Sequence, residues 1–305
     1  MTPPITDCFR ARDGARLRFG IWPARSGSPR GGVWMLPGRS EFLEKYAETA
    51  EALCRRNFAV YGLDWRGQGL SARPLRDRFK GHVDDYGTYL DDLDRFAEEV
   101  RDSVPFPRLI LGHSMGAHMA LRWLAERPEV ASAAVLTSPM IDIYAGPWPP
   151  AVARRLTAAA LARGRSEEFA LGEGPYRPKT EERFRRNVLT SDRDRYLAET
   201  AMIARNPALA LGGVTWGWVA ATYASVDRLR DPAIAARIRA PVLMVTAGRD
   251  RVVPAHAQKA LCRALPRCRL EVLPEARHEI LRERDAIRAE FWAHFDDWVG
   301  KVLEK

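Results

Sequence analysis

Short apolar runs alternate with longer amphipathic stretches along this chain, stop near Pro139, and resume near Val242. Leu17 to Trp22, Gly32 to Leu36, Phe58 to Leu63, Leu109 to Leu111 and Ala133 to Leu136 read as strands. Between them, Glu44 to Arg55, Asp91 to Arg101 and Ala117 to Glu126 carry apolar residues at helical spacing. Apolar strands separated by amphipathic helices are what a parallel sheet covered on both faces requires. Beyond Pro139, the prolines Pro147, Pro149 and Pro150 break the chain. Helical segments then follow without strands: Ala151 to Arg163, Glu181 to Val188, Asp192 to Arg205 and Thr215 to Arg228. The rhythm returns with strands at Val242 to Thr246 and Leu270 to Leu273, a helix from Pro254 to Leu265, and a closing helix from Ile287 to Leu303. The expected fold class is α/β: a mostly parallel central sheet flanked by helices. Residues 1–139 and 232–305 form its core, and residues 140–231 an inserted helical cap.

Apolar residues make up 46% and charged residues 29% of the 305, which excludes disordered and fibrous classes. No apolar run is long enough to span a bilayer, and no apolar stretch follows the first charges, so the expected location is cytoplasmic. The four cysteines, Cys8, Cys54, Cys262 and Cys268, lack the paired short spacings of a zinc site and read as reduced. The net charge is +9, and only six of the 48 basic residues are lysines. Guanidinium groups bind phosphate and carboxylate in bidentate fashion, so peripheral association with an anionic inner-membrane surface is expected beside the bland alternative of a merely arginine-rich surface. No basic cluster interleaved with aromatics argues for nucleic acid.

The chemistry concentrates at Gly112-His113-Ser114-Met115-Gly116, which directly follows a strand and directly precedes a helix. A serine in that setting sits on a tight turn at the top of the sheet, and the small residues two before and two after it prevent clashes. Serine is a weak nucleophile and needs a base oriented by a third group. An acid is expected after a later strand, and Val242 to Thr246 leads into Asp250; Asp227 and Asp231 are rivals with no strand before them. The base is expected after the next strand, and Arg269 to Pro274 leads into His278. His256 and His294 fall on helices, and His82, His113 and His118 lie before or beside the serine, so these five read as structural. Two backbone donors must meet the developing oxyanion. Met115 is the first, and Arg39 or Gly38 the second, since Pro37 has no N–H. No cofactor and no metal are called for.

At these residues the chain resembles the lysophospholipase and monoacylglycerol-lipase group of α/β-hydrolases, particularly its bacterial lysophospholipase L2-like branch. The resemblance runs through Pro37-Gly-Arg39, Lys45-Tyr46-Ala47, Asp64 to Ser71, Gly81-His-Val83, Gly112 to Gly116, Gly248-Arg-Asp250 and Ala276-Arg-His278. It continues in the insertion through Asn187 to Asp192, Arg195-Tyr196, Leu211 to Gly213 and Thr215-Trp216. It implies an α/β-hydrolase fold and a serine hydrolase acting on a single-chain acyl lipid. Pro37-Gly38 stands where monoacylglycerol-lipase relatives carry histidine-glycine, which favours the L2-like branch. The Asp64 to Ser71 loop reads as a buttress of the site.

Substrate choice is expected in the insertion, which would wall the pocket. Trp148, Phe169, Trp216, Trp218 and Tyr223 are candidates for an acyl tunnel, with packing of the insertion onto the core as the alternative. Arg183, Arg185 and Arg186 would approach an anionic head group or form a solvated face. Two other readings stay open: a carboxylesterase for small soluble esters, and a catalytically silent binding module.

Overall fold

The computed structural model describes residues 3–144 and 148–303; Pro147, one of the chain-breaking prolines, lies outside them. In chain order come strands β1 (Ile5–Arg10), β2 (Arg16–Trp22) and β3 (Gly31–Leu36), helix α1 (Ala47–Arg55), β4 (Phe58–Leu63), α2 (Tyr86–Glu99), β5 (Arg108–His113), α3 (Met115–Glu126) and β6 (Ala133–Thr137). Helices α4 (Pro150–Ala162), α5 (Glu181–Phe184), α6 (Arg193–Arg205), α7 (Trp216–Arg230) and α8 (Pro232–Ala235) follow. The chain then closes with β7 (Val242–Ala247), α9 (Ala255–Ala264), β8 (Cys268–Leu273) and α10 (Asp285–Leu303).

The eight strands form one sheet in the order β1-β2-β4-β3-β5-β6-β7-β8. The β1–β2 and β2–β4 pairs are antiparallel, and every pair from β4 to β8 is parallel. Side chains alternate across a strand, and here both sets are apolar. Val33, Met35, Leu109, Leu111, Val135, Leu243 and Val245 pack with α1 and α10 through Leu53, Phe291 and Phe295. Trp34, Leu36, Ile110, Leu136 and Met244 pack on the other side with α2, α3 and α9 through Phe96, Leu121, Leu124 and Leu261. Burial on two faces is why these strands read as continuous apolar runs.

One strand is added to the sequence reading and two expectations are corrected. β1 escapes sequence reading because ITDCFR is largely exposed at the sheet edge. The helix expected over Glu181 to Val188 ends at Phe184. There the Asn187 side chain donates to the Phe184 carbonyl at 2.7 Å and accepts the N–H groups of Leu189 and Thr190, offering the backbone a turn instead. Cys262 and Cys268, expected to be reduced, form a disulfide: the end of α9 and the start of β8 bring their Cα atoms to 5.4 Å, within bridging range. Cys8 and Cys54 are free. Among the described residues, no helix is long and apolar enough to cross a membrane.

Candidate active site

The parallel strands end together. Leu36 of β3 pairs with Gly112 of β5, and His113 pairs with Thr137 of β6. Ligand sites in open parallel sheets form outside this carboxyl edge. Ser114 caps α3 there with φ 52° and ψ −114°, a left-handed backbone that a serine adopts only when its surroundings hold it. Its N–H donates to the Thr137 carbonyl at 3.0 Å. The flanking glycines are sterically required. A Cβ on Gly112 would lie 2.8 Å from the Ala117 Cα, and one on Gly116 would lie 2.1 Å from the Leu36 carbonyl oxygen.

Three residues far apart in sequence converge on this turn. His278 Nε2 lies 3.0 Å from Ser114 Oγ, and His278 Nδ1 lies 2.8 Å from Asp250 Oδ2. The other oxygen of Asp250 accepts the N–H groups of Val252 and Val253 at 2.8 and 3.0 Å, which orients the carboxylate. Burial pushes the Asp250 carboxyl up, but the His278 hydrogen bond and the two backbone donors outweigh it and leave it below its ordinary range. The Ser138 hydroxyl donates to the His278 carbonyl at 2.8 Å and holds the backbone of that loop. The rival acids sit elsewhere: Asp227 pairs with Arg154, and Asp231 caps α8.

The loop after β3 treats the neighbouring amides of Gly38 and Arg39 differently. The Gly38 N–H donates to Glu41 Oε2 at 2.5 Å, and the Ser40 N–H donates to Gln68 Oε1 at 2.5 Å. The Arg39 N–H between them, like that of Met115, has no acceptor among the described residues. The Asp64 to Ser71 loop acts as a buttress. Asp64 accepts the N–H groups of Leu43 and Leu70 and pairs with Arg18, while the Trp65 indole donates to the Pro37 carbonyl at 2.7 Å.

A buried ionic cluster beside the site escaped sequence reading. Lys45 Nζ meets Glu41 at 2.7 Å, Glu279 at 2.8 Å and Glu199 of α6 at 2.9 Å; Lys179 meets Glu199 at 2.7 Å. Burial opposes charge on each group, yet pairing wins: Lys45 is raised and the three glutamates are lowered. The cluster ties residues 179 and 199 to Glu41, Lys45 and Glu279, directly beside His278. Lys45 falls in a segment that carries the family resemblance, but Glu41 and Lys45 show only the i, i+4 spacing common on solvated helices, so nothing in the sequence marked them as a buried cluster with Glu199 and Glu279.

Three other histidines are held by hydrogen bonds within the fold. His113 lies against His278 with ring centroids 4.9 Å apart and contacts Thr137 Oγ1 at 3.1 Å. His118 is bound between the Met140 carbonyl and Ser225 Oγ, and His82 contacts Thr215 Oγ1 at 2.7 Å. The expected tunnel residues scatter. Trp218 is buried against Tyr86, and Trp216 and Phe169 are partly buried. Tyr223 packs under Arg154, and Trp148 is exposed. Arg183, Arg185 and Arg186 are exposed.

The family model described as serine aminopeptidase, S33, matches residues 27–285. Lysophospholipase L2 of Escherichia coli is 34% identical over 303 residues, covering 94% of this chain and 87% of that protein. A monoacylglycerol lipase of Mycolicibacterium smegmatis is 26% identical over 285 residues, covering 90% of each. A soluble variant of monoglyceride lipase from Saccharomyces cerevisiae has the same fold, with TM-score 0.78, 20% identity and coverage of 99% of this chain and 96% of that one. The expected resemblance and fold class therefore hold: the chain belongs to the serine aminopeptidase S33 family of α/β-hydrolases and is an ester hydrolase related to the lysophospholipase L2 proteins.

Proposed function

We propose that the enzyme hydrolyses the carboxylic ester of a single-chain acyl lipid, a lysophospholipid or monoacylglycerol, through a Ser114–His278–Asp250 triad. The observation that carries this reading is the unbroken hydrogen-bond relay from Asp250 through His278 to Ser114. Ser114 Oγ attacks the ester carbonyl while His278 Nε2 takes its proton. Asp250 holds the Nδ1–H tautomer and stabilises the imidazolium. The amides of Met115 and Arg39 receive the developing oxyanion. His278 then protonates the departing alcohol, and water, activated by the same imidazole, releases the fatty acid from the acyl-enzyme. Gly38, its amide engaged by Glu41, is a support of the oxyanion loop rather than a donor.

On this reading residues 140–231 are a cap that walls the acyl site, a role supported by the absence of any strand from α4 to α8 among the described residues. The enzyme works from the cytoplasm at the inner membrane surface. Support comes from Tyr144, Trp148, Leu156 and Leu161, which are exposed on and just before α4, the helix that carries Arg155.

The test is hydrolysis of p-nitrophenyl esters of increasing chain length, lysophosphatidylcholine and monoacylglycerol by wild type and Ser114→Ala. The expected result is turnover that extends to the lipids and falls on the order of a thousandfold or more without the serine hydroxyl. Half-normal activity in Ser114→Ala would remove the nucleophile assignment. Activity confined to the shortest esters would point to a small-ester carboxylesterase.

A further inference from the structure

Arg39 carries a guanidinium that the fold leaves unpaired. Its half-buried side chain runs from the oxyanion loop to the insertion, where Nη1 donates to the Gly212 carbonyl at 3.1 Å and the group lies 5.8 Å from the Trp218 ring centre. Its other donors have no acceptor among the described residues. Glu173 acts on it from beyond the 4.0 Å reach of an ion pair. Several sheltered arginines meet carboxylates: Arg18 meets Glu44 and Asp64, Arg66 meets Asp13 and Asp92, and Arg195 meets Glu48, Asp192 and Asp285, whereas Arg108, away from Ser114, has only the Arg101 carbonyl and the Phe106 ring among the described residues. Arg73 shows what a purely structural arginine looks like here, with its donors on the carbonyls of Gly67, Gly69, Ala208 and Ala210. Arg39 uses one such carbonyl. The adjoining Ser40 hydroxyl is also buried without a partner.

We propose that the Arg39 guanidinium binds the phosphate of the substrate's leaving group, so that the enzyme prefers single-chain lipids with a phosphorylated head over neutral ones of the same chain length. The inference rests on the reading of Ser114 as nucleophile toward a single-chain lipid. Its geometry follows from the covalent chain. With the Arg39 amide receiving the oxyanion, as in the proposed mechanism, the guanidinium is tethered one arginine side chain from the reacting carbonyl. In a lysophospholipid the three-carbon glycerol unit puts a similar number of bonds between the scissile oxygen and the phosphorus. A sheltered, unpaired guanidinium is costly until an anion completes it, and a phosphate offers the planar fork two acceptors. A monoacylglycerol offers a hydroxyl there and leaves the charge uncompensated.

The experiment compares kcat/KM for 1-palmitoyl lysophosphatidylcholine and 1-palmitoylglycerol in the same mixed micelles, with wild type, Arg39→Met and Arg39→Lys. The ratio of phosphorylated to neutral substrate should fall at least tenfold in Arg39→Met and recover partly in Arg39→Lys, which keeps the charge without the fork. A ratio unchanged in Arg39→Met while both lipids are still hydrolysed would overturn the role of Arg39 and leave the single-chain lipid reading standing. A wild type that hydrolyses neither lipid would overturn both. If Arg39→Met does not fold, inhibition of wild-type p-nitrophenyl butyrate hydrolysis decides. sn-Glycerol 3-phosphate should inhibit at a concentration at least tenfold lower than glycerol does, and equal inhibition would overturn the proposal.

Discussion

Glu41 Oε2 accepts the backbone N–H of Gly38 at 2.5 Å, and the same oxygen accepts the Tyr46 hydroxyl at 2.6 Å. Because Lys45 holds the other oxygen, the glutamate is fixed from three directions. Its bond to Gly38 engages that amide, and on the proposed mechanism the Arg39 amide receives the oxyanion. Glu41→Gln should therefore lower kcat on a p-nitrophenyl ester by about tenfold to a hundredfold, with KM changed less than twofold, in the range of losing part of an oxyanion contact. A variant with wild-type kcat would show that the loop keeps its shape without the carboxylate.

The second glycine of the pentapeptide is tested by size alone. A Cβ on Gly116 would sit 2.1 Å from the Leu36 oxygen and 2.4 Å from the Pro37 oxygen, both backbone atoms with no rotamer to escape into. Gly116→Ala should cost about 3 kcal/mol, as overpacking against fixed neighbours does, and should abolish activity by pushing the oxyanion loop outward. Urea denaturation measures the first effect. An unshifted midpoint contradicts the contact.

Buried histidines set an acid-side slope of stability. Burial holds His113 down to about 4 against the opposing pull of Glu41, and burial with the nearby Arg122 charge holds His118 down to about 3. His118 is satisfied as the neutral ring, donating from Nδ1 to the Met140 carbonyl at 2.9 Å while Nε2 meets Ser225 Oγ at 2.7 Å. In the unfolded chain both titrate near 6.5. Between those values the unfolded state binds more protons, so stability falls as pH drops from about 6.5, by at most roughly 1.4 kcal/mol per pH unit for each ring. The glutamates paired with Lys45 are depressed and add their loss only below the ordinary carboxylate range, about pH 4. Denaturation at pH 7, 6 and 5 should show the decline, and His118→Gln should flatten it. Equal stability at pH 7 and pH 5 would refute it.

The bridge between Cys262 and Cys268 closes a short loop at a sequence separation of 6. Such a closure is worth about 2 kcal/mol of unfolded-state entropy. Cys268→Ser should lose about that much stability and leave kcat intact, since the loop from α9 to β8 contributes no residue to the proposed triad. Thiol titration of denatured, unreduced protein should find two free cysteines rather than four.

The sequence by itself determined the alternation of strand and helix, because burial on both faces of a parallel sheet demands apolar runs whose ends are punctuated by glycine and proline. Phe58 to Leu63 was legible to the residue, and the order of Ser114, Asp250 and His278 along successive strand ends followed from the same pattern. Local chemistry was legible wherever its cause was local. Tertiary structure alone decided what depends on meeting across distance. It set the edge strand β1, whose exposure removes its apolar signature, and the disulfide, whose spacing is unremarkable until α9 and β8 are placed. It also gathered Lys45, Glu41, Glu199 and Glu279 into one buried cluster from three separate regions of the chain. The difference between the Gly38 and Arg39 amides belongs with these. Neighbouring amides are equivalent in sequence, and only the side chains of Glu41 and Gln68, arriving from either side, distinguish the one left free.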